Sequence, residues 1–162
     1  MATHVGNRLY VKVSSSVAGT SPNSGSRATN IEINRAPATG TTDGQWDLGG
    51  GKTFSATTTP ASIDLRSYTP QDAASAQVIV DVDTIVAECP STNTAKVTVS
   101  VGASNGFAGV ITSGGIDIYP GGAFTWHAPA SSVSTGGSTK TLDYVAASGT
   151  QSLTFTVFGR SA

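Results

Sequence analysis

Ile116-Asp117-Ile118-Tyr119-Pro120-Gly121-Gly122-Ala123-Phe124-Thr125-Trp126-His127 is the stretch on which the reading of this chain turns. Ile116 and Ile118 alternate with Asp117 and Tyr119. Phe124 and Trp126 alternate with Thr125 and His127. A period of two is the signature of a half-buried strand. Between the two runs, Pro120 and Gly121 occupy the central positions of a type II turn, where proline presets φ and glycine accepts a positive one. The stretch therefore predicts two strands joined as a hairpin. Working outward, the same alternation recurs. Val97, Val99 and Val101 oppose Lys96, Thr98 and Ser100. Leu153, Phe155 and Val157 oppose Thr154 and Thr156. Leu9, Val11 and Val13 oppose Arg8, Tyr10 and Lys12, and Ile31 pairs with Ile33. In the longest run, 77–86, Val78, Val80, Val82 and Val86 read as one face and Asp81 and Asp83 as the other. Gly114-Gly115, Ser104-Asn105-Gly106 and Ser148-Gly149 mark further corners. Eight to ten strands at this spacing predict an all-β fold, an antiparallel sandwich, jelly roll or barrel, of which a jelly-roll-like β-sandwich is the reading adopted. Only residues 72–76 suggest a short turn of helix.

Composition agrees. Twenty-one serines, 23 threonines and 19 glycines make up 63 of 162 residues, and only 12% are charged. Threonine is β-branched and polar, so it suits a solvated strand face. A net charge of -1 argues against a nucleic-acid binder, which needs a cationic surplus to neutralise phosphates. A hydrophobic share of 38% with so little net charge is not the pattern of a disordered chain. One cysteine, Cys89, excludes an internal disulfide. Residues 1–13 lack the charged start and apolar core of a signal peptide. No apolar run approaches the 18 or more residues of a membrane helix, and no glycosylation sequon occurs, since Asn93-Thr94 is followed by Ala95. The chain reads as made in a cytoplasm, without export signals.

The length suits one β domain over 1–162, with a sandwich core at 52–162 and a loop-rich or arm-like region at 14–51. Within that region, 14–28 and 36–51 are nearly free of aliphatic residues. Structureless loops of this length are uncommon in a compact monomer. An arm that orders against a neighbouring subunit and an exposed loop both fit.

Four groups of residues invite a chemical reading. Gly102-Ala103-Ser104-Asn105-Gly106 matches G-x-S-x-G after a strand, and Asp117 and His127 follow in the order acid, then histidine. The helix required after the serine is missing, because Phe107-Ala108-Gly109-Val110 leads into strand. Gly49-Gly50-Gly51-Lys52-Thr53 resembles a phosphate loop, but Trp46 stands where its first glycine belongs and a strand follows. Asp81 and Asp83 share a strand face with Glu88 at the opposite parity. Two carboxylates fall short of the six or more oxygens a hard cation collects, so they read as a solvated outer face. His4 and His127, with one cysteine, offer no zinc spacing; His127 reads as an edge or interface residue. Trp46, Trp126, Tyr10, Tyr68, Tyr119 and Tyr144 are candidates for a sugar-stacking shelf, although Trp126 shares its face with Phe124, as a core residue would. No residue is assigned a catalytic, cofactor-binding or metal-ligating role, and the chain is expected not to be an enzyme.

Several phrases, in order, carry a resemblance. They are Ser55-Ala56-Thr57-Thr58-Thr59-Pro60-Ala61-Ser62-Ile63-Asp64-Leu65, the central run Val78 to Val86, and Lys96 to Gly102 followed by Ala103-Ser104-Asn105. After them come Ile116 to Phe124 with its P-G-G turn, and Leu153 to Phe158 closing with Gly159-Arg160-Ser161-Ala162. Over about residues 54–162 the chain resembles small phage-type virion proteins of the capsid decoration or cement kind. That resemblance implies a β-sandwich located on the virion, at the capsid surface. Its implied partners are the major capsid protein and copies of itself, often as a homotrimer, with no cofactor, nucleic acid or membrane. A tail or other coat component, and a glycan-binding β-sandwich module, are the alternatives.

Overall fold

The structure is a computed structural model. It describes residues 9–17, 27–35, 40, 46–112, 114–128 and 132–161, the first two segments by their backbone. The chain forms two compact units, Met1–Ala38 and Thr39–Ala162.

In the first unit, β1 (Leu9–Val17) and β2 (Arg27–Arg35) pair antiparallel as a two-stranded sheet of their own. The register runs from Leu9 opposite Arg35 to Val17 opposite Arg27, and sets Val11 against Ile33 and Val13 against Ile31. The strands thus reach into the 14–28 segment read as loop.

The described residues of the second unit form nine strands: β3 (Leu48–Ala56), β4 (Ala61–Asp64), β5 (Asp81–Glu88), β6 (Val97–Val101), β7 (Ile116–Ile118), β8 (Ala123–His127), β9 (Val133–Ser134), β10 (Thr141–Ala146) and β11 (Gln151–Arg160). They make two antiparallel sheets, ordered β4-β10-β6-β7 and β3-β11-β5-β8, with β9 also pairing β5. This is the all-β sandwich that the alternation predicts. The inward residues of both sheets, among them Val97, Val99, Leu142, Leu153, Phe155, Val157 and Ile85, are essentially fully buried. Each such aliphatic or aromatic side chain contributes about 1.5–3 kcal/mol relative to exposure. Tyr68 pins the core: its ring meets Phe155 edge-on, and its hydroxyl donates to Phe155 O at 2.8 Å. Among the described residues the helical content is one 3-10 turn, Leu65–Ser67, where Asp64 Oδ1 accepts from Arg66 N at 2.8 Å. Residues 72–76 form turns and bends, so no helix forms there.

Three local expectations change. The Tyr119–Gly122 turn is present, with Gly122 N–H donating to Tyr119 O at 2.8 Å and Gly121 at φ 79°. Its flanking strands do not form a hairpin. β7 pairs with β6 in one sheet and β8 with β5 in the other. The turn instead carries the chain from sheet to sheet, because a two-period pattern says which face is buried and nothing about which strand is the neighbour.

The second change is in β5. Phe158 lies opposite Thr84 and Gly159 opposite Val82, so Asp83 has no partner on β11. Such a bulge inserts one residue and reverses the face of everything after it. Val82, Ile85 and Ala87 are therefore buried, Val86 lies half-buried on the outer side, and Val78, before the strand, is 46% exposed. Asp83, expected on a solvated face, is completely buried.

Thirdly, Gly49-Gly50-Gly51, read as loop, are strand residues paired with Phe158, Val157 and Thr156. A Cβ on Gly49, at φ 144°, would lie 2.5 Å from the Phe158 ring. Glycine is needed there to let the aromatic ring close on the strand.

Candidate functional site

The outer face of the five-stranded sheet collects the groups with chemical or recognition potential. Its register forms cross-strand rows. Ser55 faces Ser152. Thr53, Thr154, Glu88 and Ala123 stand in one row, and Gly51, Thr156, Val86 and Thr125 in the next. All but Glu88 are small or β-branched, and Thr53 and Thr154 approach to 3.3 Å between hydroxyls. Small side chains at matched register leave a level surface rather than a furrowed one. At its end, Glu88 opens onto a cleft of about 440 Å³ shared with Cys89, Pro90, Ser91, Gly121, Gly122, Ala123 and Thr154.

The opposite end of this face is closed. Its row is Gly49, Phe158, Thr84 and His127. Trp46 stacks on Phe158 with centroids 4.6 Å apart and 9° between planes, and meets His127 edge-on at 6.1 Å. His127 Nδ1 and Thr84 Oγ1 share a hydrogen bond at 2.7 Å. Arg160, 5% exposed, holds Asp81 (Nη2 to Oδ2, 3.5 Å) and Asp83 (Nε to Oδ2, 3.8 Å), and donates to Ser132 Oγ. Ser134 Oγ donates to Asp81 Oδ1 at 2.5 Å. The start of β3 is latched to the end of β11: Asp47 N–H donates to Gly159 O, and Ser161 N–H to Asp47 Oδ1 at 2.8 Å.

These positions decide the sequence candidates. Ser104 is exposed in the loop after β6, its carbonyl accepting from Thr141 Oγ1. Asp117 lies on the outer face of the four-stranded sheet, bonded to Lys96 at 2.5 Å and Thr98 at 2.6 Å. His127 lies on the outer face of the other sheet. The core separates the acid from the histidine, so no triad forms. Lys52 and Thr53 sit mid-strand on β3, its ammonium 5.3 Å over the Phe54 ring, and no helix N-terminus follows. Asp81 and Asp83 both face the Arg160 guanidinium, which pairs with them. Among the described residues no cluster of three metal-ligating groups occurs. The aromatic shelf is dispersed. Trp46 and Tyr68 are 2% exposed and Tyr144 7%, Trp126 packs half-buried against the core, and Tyr119 alone is exposed, at 64%. His4 and the Tyr10 side chain lie outside the described residues.

Charge is tuned mildly. The Lys96 and Thr98 hydrogen bonds hold the Asp117 carboxyl below the ordinary carboxylate value, and Asp117 in turn raises Lys96. Burial pushes Tyr144 upward, and burial with the nearby Asp72 charge pushes Tyr68 well up from the ordinary value near 10. Sequence reading missed the Glu88 cleft and the Trp46–Phe158 cap. The signal for the cap was the Gly49-Gly50 pair, since glycines inside a strand mark close approach. Comparison of the chain with protein-family models, curated proteins and solved structures finds no match.

Proposed function

We propose that the protein is a non-enzymatic structural subunit of a virion, a decoration or cement protein that binds a capsid lattice from the outside and stabilises it. The observation that carries this reading is the level, small-residue outer face of the five-stranded sheet. Sheet faces pack on other surfaces at about 10 Å when their side chains interdigitate without large projections. Rows of Ser, Thr, Gly, Ala and Val meet that condition and carry one charge. The β1–β2 ribbon adds to the support. It forms a sheet of two strands, and a two-stranded ribbon is marginal in water unless something packs on it. The order of phrases along 54–162 points to the same class. A glycan-binding role is less well supported, since Trp46 is buried and Trp126 packs into the core.

The test is location. Particles of the phage that encodes the chain are purified on a gradient and imaged by electron cryo-microscopy. The expected result is this sandwich at fixed lattice positions on the capsid surface, in stoichiometric amount. Particles that lack the protein, or carry it only at the tail, overturn the decoration role.

A further inference from the structure

The net charge of -1 conceals an uneven division. Residues 1–38 carry Arg8, Lys12, Arg27 and Arg35 against Glu32, a net +3. Residues 39–162 carry Lys52, Arg66, Lys96, Lys140 and Arg160 against eight aspartates and Glu88, a net -4. These are the two compact units of the fold. Most carboxylates of the second unit are already answered. Asp64 has Lys140 at 2.7 Å and Asp117 has Lys96 at 2.5 Å; Arg160 holds Asp81 and Asp83. Asp143 accepts from Ser62 Oγ and Ala103 N–H, and Asp47 from Ser161 N–H. Glu88 and Asp72 are exposed and have no cation or donor among the described residues, and of the two Glu88 stands beside the cleft at the edge of the level face.

We infer that the Glu88 cleft receives an arginine from the basic N-terminal unit of a second copy of this chain. Arginine suits the cleft because its planar fork meets a carboxylate with two parallel hydrogen bonds. Arg27 and Arg35 begin and end β2, opposite Val17 and Leu9. By the two-residue period and the register, Val11, Val13, Ile31 and Ile33 share one face of the ribbon with Arg27 and Arg35. A second copy is favoured by the charges themselves. Each chain carries one basic donor unit and one acidic acceptor, and like units repel. Such a head-to-tail contact is heterologous and closes into a ring when its rotation allows. The inference deepens the assembly reading by naming one partner, and the two fail separately, because self-association is measured without particles.

The test is sedimentation velocity of the full chain over a range of concentrations, at low and at high salt. The expected result is reversible association at low salt that fades at high salt, as the screening length falls from about 30 Å at 0.01 M to about 3 Å at 1 M. Glu88→Lys weakens association about tenfold, the order for turning an attractive pair repulsive. Arg27→Glu with Arg35→Glu does the same, and combining all three restores binding. Thermal melts of Glu88→Lys matching the parent show that the fold is intact. A chain that stays monomeric at low salt overturns the proposal, including the case in which the ribbon is bound within its own copy. Association indifferent to Glu88→Lys, or unrestored in the triple variant, overturns it too.

Discussion

Gly159→Ala puts the bulge in β5 to a direct test. Gly159 pairs with Val82 where the register slips past Asp83. A Cβ there would lie 2.1 Å from Asp81 O and 2.8 Å from Ile79 Cγ2. The first of these is backbone, held while Val80 N–H donates to Arg160 O at 2.8 Å and Asp47 N–H to Gly159 O, so it does not yield by a rotamer change. Overpacking of this kind costs about 1–3 kcal/mol, and a rigid backbone partner places this case at about 3 kcal/mol. In a domain of this size each kcal/mol lowers Tm by about 2–4 °C, so the expected fall is about 6–12 °C. Gly137→Ala is the matched control. Its Cβ meets nothing within 4 Å and its φ is not in the left-handed region. It is expected to be neutral or to stabilise by up to about 1 kcal/mol, through the smaller entropy of the unfolded chain. The assay is thermal unfolding by circular dichroism with a urea titration for each variant. If Gly159→Ala melts with the parent while Gly137→Ala behaves as expected, the close approach of β11 to Asp81 is wrong, and with it the bulge.

Two further outcomes concern protons. The Tyr68 hydroxyl is neutral when protonated and its pKa is raised by folding, so its contribution is complete below about pH 10 and is lost as pH climbs above that value; NMR of the Tyr68 ring should show ionisation only together with alkaline unfolding. Free titration of Tyr68 in the intact sheet would contradict its burial and its bond to Phe155 O. Asp117 runs the other way. Its folded pKa is lowered, so its contribution is present above about pH 4 and disappears as pH falls below it. Lys96→Met should move its NMR titration midpoint upward, part of the depression remaining through Thr98; an unmoved midpoint would show that the ion pair is not formed in solution.

The alternation in β6 and β11 was legible because nothing interrupts it: Val97, Val99, Leu153, Phe155 and Val157 are inside, as the period of two requires. β5 was misread at one residue. A bulge has no compositional mark of its own, and Asp81-Val82-Asp83 looked like regular alternation until Gly159 and Phe158 fixed the register. The Pro120-Gly121 turn was legible as a turn because φ is a local property. Its crossing between sheets was not, since partner choice is set by strands far away in sequence. Of the candidate surface, the Ser and Thr content of the outer face was readable. The rows that align Thr53, Thr154 and Glu88 were not, because they join residues up to 101 positions apart.

That separation governs how the chain is made. β11 lies between β3 and β5 in the finished sheet, yet Thr53 is followed by Thr154 only after 101 further positions. At a synthesis rate of about 5–20 residues per second, β3 waits about 5–20 s for its neighbour. During that interval β3 and β5 both offer unsatisfied backbone edges, the surfaces on which chains recruit one another wrongly. Nascent copies made close together on one message are therefore exposed to mutual strand capture until the last long strand arrives, and slowing translation between β10 and β11 should raise the insoluble fraction while the folded product stays unchanged.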